Sequence, residues 1–227
     1  MVKHSKITKV FQLSLVIIFI LVLLGLFVPQ QFQNISFYLK NLLTTSVGWF
    51  YLLLVTGILI FCVFLIVSPI GQIRLGNPTS RPEHSTTSWI AMMFSAGMGI
   101  GLVFYGAAEP LSHFAISTPN AEIGSADALA DAFRFTFFHW GFHAWAVYAL
   151  VGLSLAYFGF RKREKYQLSV VFKPLFGKYA DGPIATIIDT ITIIATVIGV
   201  ATTLGFGASQ INGGLSYVFG IPNNSLV

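Results

Sequence analysis

Five stretches of mainly apolar residues decide what this chain can fold into, because each is about long enough for a helix to cross a bilayer. They run from about Phe11 to Pro29, Val47 to Gly71, Ser88 to Gly106, Phe133 to Phe160 and Ile184 to Phe206. Backbone groups in hydrocarbon must find their partners within protein, so such runs read as an all-α transmembrane fold. Composition points the same way: of 227 residues, 55% are hydrophobic and 9% charged. Ordinary soluble domains carry roughly 25% charged residues. A soluble protein this apolar could not cover its surface with polar groups, so the lipid bilayer is the first partner. The first run has the basic start and apolar core of a signal peptide. It lacks a small-x-small cleavage site before Pro29 and is longer than a usual signal core, so it is read as a retained span. The single cysteine, Cys62, lies in an apolar run and cannot form an internal disulfide.

Orientation follows from lysine and arginine in the short loops. Lys3, Lys6 and Lys9 precede the first run, and Arg74 and Arg81 separate the second from the third. Arg161, Lys162, Arg163, Lys165, Lys173 and Lys178 separate the fourth from the fifth. If the five spans alternate, those residues share one side, and of the 13 basic residues only Lys40 and Arg134 fall on the other. A multi-pass cell-membrane protein with a cytoplasmic N-terminus is expected. The opposite loop, Ala107 to Ala132, holds Glu109, Glu122, Asp127 and Asp131 and no basic residue. Within and just beyond it, Ser125 to Arg134 reads as a short amphipathic helix at the outer surface. The basic residues cluster beside apolar runs and form no continuous stripe, so no nucleic-acid partner is implied. Residues 1–227 read as a single membrane domain without a soluble domain or short-period repeat. The chain stops at Val227, soon after the fifth run, which reads as an interruption of a longer protein.

Three stretches depart from plain apolar helix. The third run contains Ser95-Ala-Gly-Met-Gly-Ile-Gly101. Each glycine in a helix interior costs about 1 kcal/mol against alanine. Gly97 and Gly101 form GxxxG, a close-packing motif of membrane helices. The other reading is a helix broken at membrane depth, with bare carbonyls facing an ion and bare amides facing an anionic substrate group. Gly99 lies off the GxxxG face and favours the break. The fourth run contains Phe138-His-Trp-Gly-Phe-His-Ala-Trp-Ala-Val-Tyr148. On one continuous helix, Trp145 and Tyr148 stand about 60° apart, and Trp140 about 80° from Tyr148. The three would share a broad aromatic face. Tryptophans are commonly interface anchors, which suits Trp49 and Trp89 better than Trp145. Aromatic faces also attract quaternary ammonium groups. His139 and His143 have i, i+4 spacing, but there is no intervening glutamate and no further cysteine/histidine cluster, so no metal centre is expected. In the fifth run, Thr192, Thr196 and Thr203 either bond back to their own helix or form a polar stripe along an ion path. Asp189 is expensive in lipid and should face protein or water. The two histidines and Asp189 form no catalytic set, so no enzyme is expected.

These stretches together resemble the betaine/choline/carnitine transporter family. The resemblance runs through Ile73-Arg-Leu-Gly76, Arg81-Pro-Glu83, Ala96-Gly-Met-Gly-Ile-Gly-Leu-Val-Phe-Tyr-Gly106 and Ala108-Glu-Pro-Leu111. It continues through Phe138-His-Trp140, His143-Ala-Trp145 and Ala195-Thr196 to Gly207. It implies a twelve-span transporter with five-plus-five inverted repeats, about twice this length. The chain would supply two peripheral spans (11–29 and 47–71) and the first three spans of repeat one (88–106, 133–160 and 184–206). The implied function is secondary transport of a quaternary-ammonium compatible solute, foremost sodium-coupled glycine betaine uptake in osmoprotection. Choline or carnitine transport, or a truncated non-transporting sensor or scaffold, are the alternatives. By resemblance, Trp140, Trp145 and Tyr148 match the aromatic substrate cage, whose later tryptophans lie outside this chain. Gly97, Gly99 and Gly101 would present amides to the substrate carboxylate, and glycine at 101 suits glycine betaine, where proton-coupled choline members tend to carry aspartate. Backbone carbonyls of Ser95 and Met98 and the hydroxyl of Thr196 match sodium sites. Val200 lacks the hydroxyl of a second position. Sodium is the only cofactor-like partner implied, and family members often form homotrimers.

Overall fold

A computed structural model describes residues 8–222 except Met98, Ser117, Pro119 and Asn120, and excludes the side chains of Ala96, Gly97, Ile100 and Lys178. Every regular element among the described residues is helical. In chain order these are α1 (Lys9–Phe27), α2 (Pro29–Val67), α3 (Thr86–Gly97), α4 (Ile100–Ala115) and α5 (Ala126–Trp140). There follow α6 (Phe142–Ala156), the short α7 (Leu168–Val171) and α8 (Lys173–Phe176), and α9 (Pro183–Phe219). A π-helical turn, Tyr157–Arg161, extends α6. Among the described residues, four stretches are long and apolar enough to cross a membrane: Lys9–Phe27, Pro29–Val67, Ala126–Arg161 and Pro183–Phe219. The third apolar run of the sequence is divided between α3, of 12 residues, and α4, of 16, each too short to span alone.

Several helices outrun the apolar stretches that predict them, α2 and α9 furthest. α2 begins at Pro29, eighteen residues before Val47 (47 − 29), and α9 continues past Phe206 to Phe219. Proline suits the first turn of a helix because its missing amide has no partner there. In the polar half of α2, the hydroxyls of Ser36, Thr44 and Thr45 donate to the carbonyls of Phe32, Lys40 and Asn41, one turn back. Those side chains satisfy their own polar groups on the helix.

The chain divides into two compact units. One comprises Met1–Pro78 and Ala146–Val197, the other Thr79–Trp145 and Ile198–Val227. In the first, Arg161 Nη1 donates to the Arg74 carbonyl at 2.8 Å, joining two of the basic loops. Asp189, 8% exposed, accepts the Ser169 amide at 3.0 Å and the Ser169 hydroxyl at 2.8 Å. The carboxylate therefore faces protein, as its cost in lipid requires, and it satisfies an amide in the first turn of α7. Lys173 bonds Glu164 at 3.1 Å and reaches Asp181 at 3.4 Å, and the Glu164 bond foremost holds its pKa above the usual lysine range. In the second unit, α4 packs along α5. Small residues make that possible: Ala128 and Ala132 of α5 are fully buried.

Among the described residues no large side chain is fully buried, while Phe27, Ile66 and Phe142 are 77%, 80% and 81% exposed. An exterior of this kind is stable only against lipid or further protein.

Candidate functional site

The glycine stretch interrupts its helix. α3 ends at Gly97 and α4 begins at Ile100, with Gly99 extended between them (φ −69°, ψ 171°). The Gly99 carbonyl accepts from the amides of Leu102 and Val103 at 3.0 and 3.3 Å, starting the new helix. This φ is open to any residue, so left-handed backbone is not what glycine supplies at position 99. Bare surface is: a Cβ added at Gly99 would meet nothing within 4 Å. The first amides of α4 have no carbonyl ahead of them in the helix and carry the positive end of its dipole.

At the second residue of α4 the bare surface meets an aromatic ring. A Cβ at Gly101 would lie 3.6 Å from Cη2 of Trp140. Trp140 packs on Tyr105, with ring centroids 5.5 Å apart, and Tyr105 meets Phe206 edge-on at 5.4 Å. Phe206 in turn stacks on Phe104 at 5.1 Å. Glu109 fixes the other edge of the indole: its Oε2 accepts from Trp140 Nε1 at 2.5 Å. Its Oε1 is hydrogen-bonded to His139 Nδ1 and lies 3.5 Å from His113 Nε2. A single carboxylate thus holds the last two residues of α5. Glu109 stands just beyond the third apolar run. Burial alone would raise its pKa, but the hydrogen bonds from Trp140 and His139 outweigh that and hold it below the usual glutamate range.

α5 stops at Trp140 because Gly141 turns the chain out of helical geometry (φ −91°, ψ −148°). A Cβ at Gly141 would stand 2.3 Å from the Phe137 carbonyl oxygen, so the bend admits only glycine. This corrects the single-helix reading of Phe133 to Phe160. The angle of about 80° between Trp140 and Tyr148 does not apply across the bend. Trp145 and Tyr148 remain together on uninterrupted α6, 45% and 73% exposed. The expected amphipathic helix from Ser125 is not separate from the fourth apolar run: Ser125 caps α5, accepting the Ala128 amide at 3.1 Å, and the helix continues to Trp140.

Gly97, Gly99, Gly101, Trp140, Trp145 and Ser95 fall in the second unit, and Tyr148 and Thr196 in the first. The structure brings Gly101 and Trp140 together. Ser95 lies on α3, two residues before its end, and Met98 lies outside the described residues. The hydroxyls of Thr192, Thr196 and Thr203 donate to the carbonyls of Ile188, Thr192 and Gly199, the local bonding that competes with a polar stripe. His143 packs against Phe138, with ring centroids 4.7 Å apart, while His139 turns to Glu109. The i, i+4 pair therefore separates. In the sequence, Glu109, thirty residues before His139, stands out only as an acidic residue of the outer loop and part of a motif.

The sequence profile of the betaine/carnitine/choline family transporter matches residues 9–227. The chain belongs to this family. It is 53% identical over 227 residues to the glycine betaine transporter OpuD of Bacillus subtilis (strain 168), covering 100% of this chain and 44% of that protein. It is 44% identical over 222 residues to the probable glycine betaine transporter of Desulfitobacterium hafniense (strain Y51), covering 98% of this chain and 45% of the relative. An ectoine/hydroxyectoine transporter of Virgibacillus pantothenticus is 44% identical over 216 residues, covering 95% of this chain and 43% of its own length. The chain spans less than half the length of these relatives. As a betaine/carnitine/choline family member it belongs with transporters and not with enzymes. Its Ala108-Glu-Pro-Leu111 motif gains a physical content here, because Glu109 is the residue that anchors Trp140.

Proposed function

We propose that this chain supplies the N-terminal part of a twelve-span, sodium-coupled glycine betaine transporter serving osmoprotection, with its N-terminus in the cytoplasm. The observation that carries the reading is the approach of Trp140 to Gly101 beside the broken helix. Glycine betaine carries a quaternary ammonium at one end and a carboxylate at the other. An aromatic face favours the diffuse cation, by up to about 2 kcal/mol per desolvated contact. A helix start with bare amides favours the carboxylate. Trp140, Trp145 and Tyr148 would take the ammonium head with tryptophans from a later span, and Gly97, Gly99 and Gly101 would take the carboxylate. Sodium at the carbonyls of Ser95 and Met98, with Thr196 as a further ligand, would couple uptake to the inward gradient. Each charge moved inward gains about 2.3 kcal/mol per 100 mV. Two relatives named for glycine betaine support the substrate, and the relative named for ectoine makes a cyclic amidinium zwitterion the second reading. Assembly as a homotrimer is part of the proposal.

The test is uptake of radiolabelled glycine betaine by the complete transporter in a host lacking other betaine carriers. Trp145→Leu keeps bulk and removes the π face. It should raise the apparent KM at least tenfold with membrane insertion intact, while Trp145→Phe retains part of the affinity. Unchanged affinity in Trp145→Leu, Trp140→Leu and Tyr148→Leu would remove the cage from this helix pair. Unlabelled ectoine that competes better than betaine would favour the second reading.

A further inference from the structure

Glu109, His113 and His139 each offer one ligand atom, and the three atoms lie within 4.8 Å of one another. Glu109 and His113 stand one turn apart on a single face of α4. His139 comes from the last turn of α5. We propose that these three side chains form a binding site for a divalent transition-metal ion, zinc in the first instance, which clamps α4 to α5.

The donor set is two imidazole nitrogens and one carboxylate oxygen, which suits zinc and its first-row neighbours and not calcium or magnesium. Zinc sits about 2.0–2.2 Å from such atoms, which places tetrahedral ligands about 3.4 Å from one another. Glu109 Oε1 and His113 Nε2 are 3.5 Å apart, already at that spacing. His139 Nδ1 is closer, in hydrogen-bond contact with the same oxygen, so it must withdraw slightly to admit an ion. It has the room: its side chain is 48% exposed, against 13% for Glu109 and 19% for His113. Three protein ligands leave a fourth position for water.

The carboxylate is also held from behind. Glu109 Oε2 accepts from Trp140 Nε1 at 2.5 Å, which leaves Oε1 directed at the histidines. Outer partners of this kind orient metal ligands and strengthen binding. The site stands whether or not the chain carries glycine betaine. It also does not involve His143, which packs on Phe138.

The test uses the full chain purified in detergent without a histidine tag, with Zn2+ and Co2+ as the probes. Equilibrium dialysis should find one zinc per chain, and cobalt should show the intense visible bands of four-coordinate Co2+. His113→Ala and His139→Ala should each weaken zinc binding at least about tenfold, and His143→Ala should leave it unchanged. Zinc retained undiminished in both His113→Ala and His139→Ala overturns the assignment, as does loss of zinc in His143→Ala alone. If circular dichroism shows that a variant has not folded, the unaltered chain decides alone: a cobalt spectrum like that of the hexahydrate overturns the proposal.

Discussion

Gly101 and Gly141 show how differently two glycines of one site are constrained. At Gly101 a methyl group would meet Trp140 at 3.6 Å, an ordinary van der Waals distance. At Gly141 it would meet a backbone oxygen at 2.3 Å, which no rotamer change can relieve. The same substitution should therefore have opposite consequences. Gly101→Ala should leave the thermal midpoint in detergent within a degree or two, since alanine favours the helix and the space exists. It should still weaken betaine uptake by the complete transporter, because the methyl occupies the bare face beside Trp140. Gly141→Ala should cost about 1–3 kcal/mol and lower the midpoint by several degrees. Equal midpoints for the two variants would refute the steric account of the bend. From sequence, Gly141 looks like a tolerated glycine in an apolar helix, because the clash depends on a backbone path that no local pattern encodes. The three glycines at 97, 99 and 101 are legible because their density alone weakens a helix.

At the scale of elements, Asp189 ties the short α7 to α9 by accepting two hydrogen bonds from Ser169. Asp189→Ala leaves a buried amide and hydroxyl without this acceptor, a loss of about 1–3 kcal/mol. Tryptic cleavage among Arg161, Lys162, Arg163 and Lys165 should then accelerate several-fold. Asp189→Asn keeps an oxygen for the amide and should show less than half the effect. Equal cleavage rates in all three proteins would deny the latch. The sequence exposes Asp189 as a charge needing a partner, by the cost of burying it, but not Ser169, twenty residues away. Glu109 is harder still. Its partners His139 and Trp140 lie across a loop and on another helix, and periodicity relates residues only along one helix. The helix positions are readable from hydropathy, but the ends are not. α2 and α9 run on through polar residues, where hydropathy no longer marks the helix.

For the molecule as a whole, the bond from Arg161 to the Arg74 carbonyl joins two basic loops. On the proposed orientation both face the cytoplasm. In a Cys62→Ser background, a cysteine at Glu122 should react with a membrane-impermeant maleimide on intact cells, and one at Arg163 only after permeabilisation. The reverse pattern would invert the topology. The length of α2 has a mechanical consequence. Its 39 residues extend about 58 Å, close to twice the hydrocarbon thickness of roughly 30 Å. Lying wholly within hydrocarbon would demand a tilt near 60°, beyond the 0–40° that spanning helices adopt. On the proposed topology its apolar half from Val47 to Val67 would fill the membrane, and the half from Pro29 to Ser46 would stand outside as an arm of about 27 Å. An uninterrupted helix behaves as a lever. A rocking of about 10° within the bilayer, of the kind by which one transporter segment moves against another, carries the far end of that arm about 5 Å. A spin label or fluorophore at Asn34, near that end, would magnify motions of α2 that are small within the bilayer.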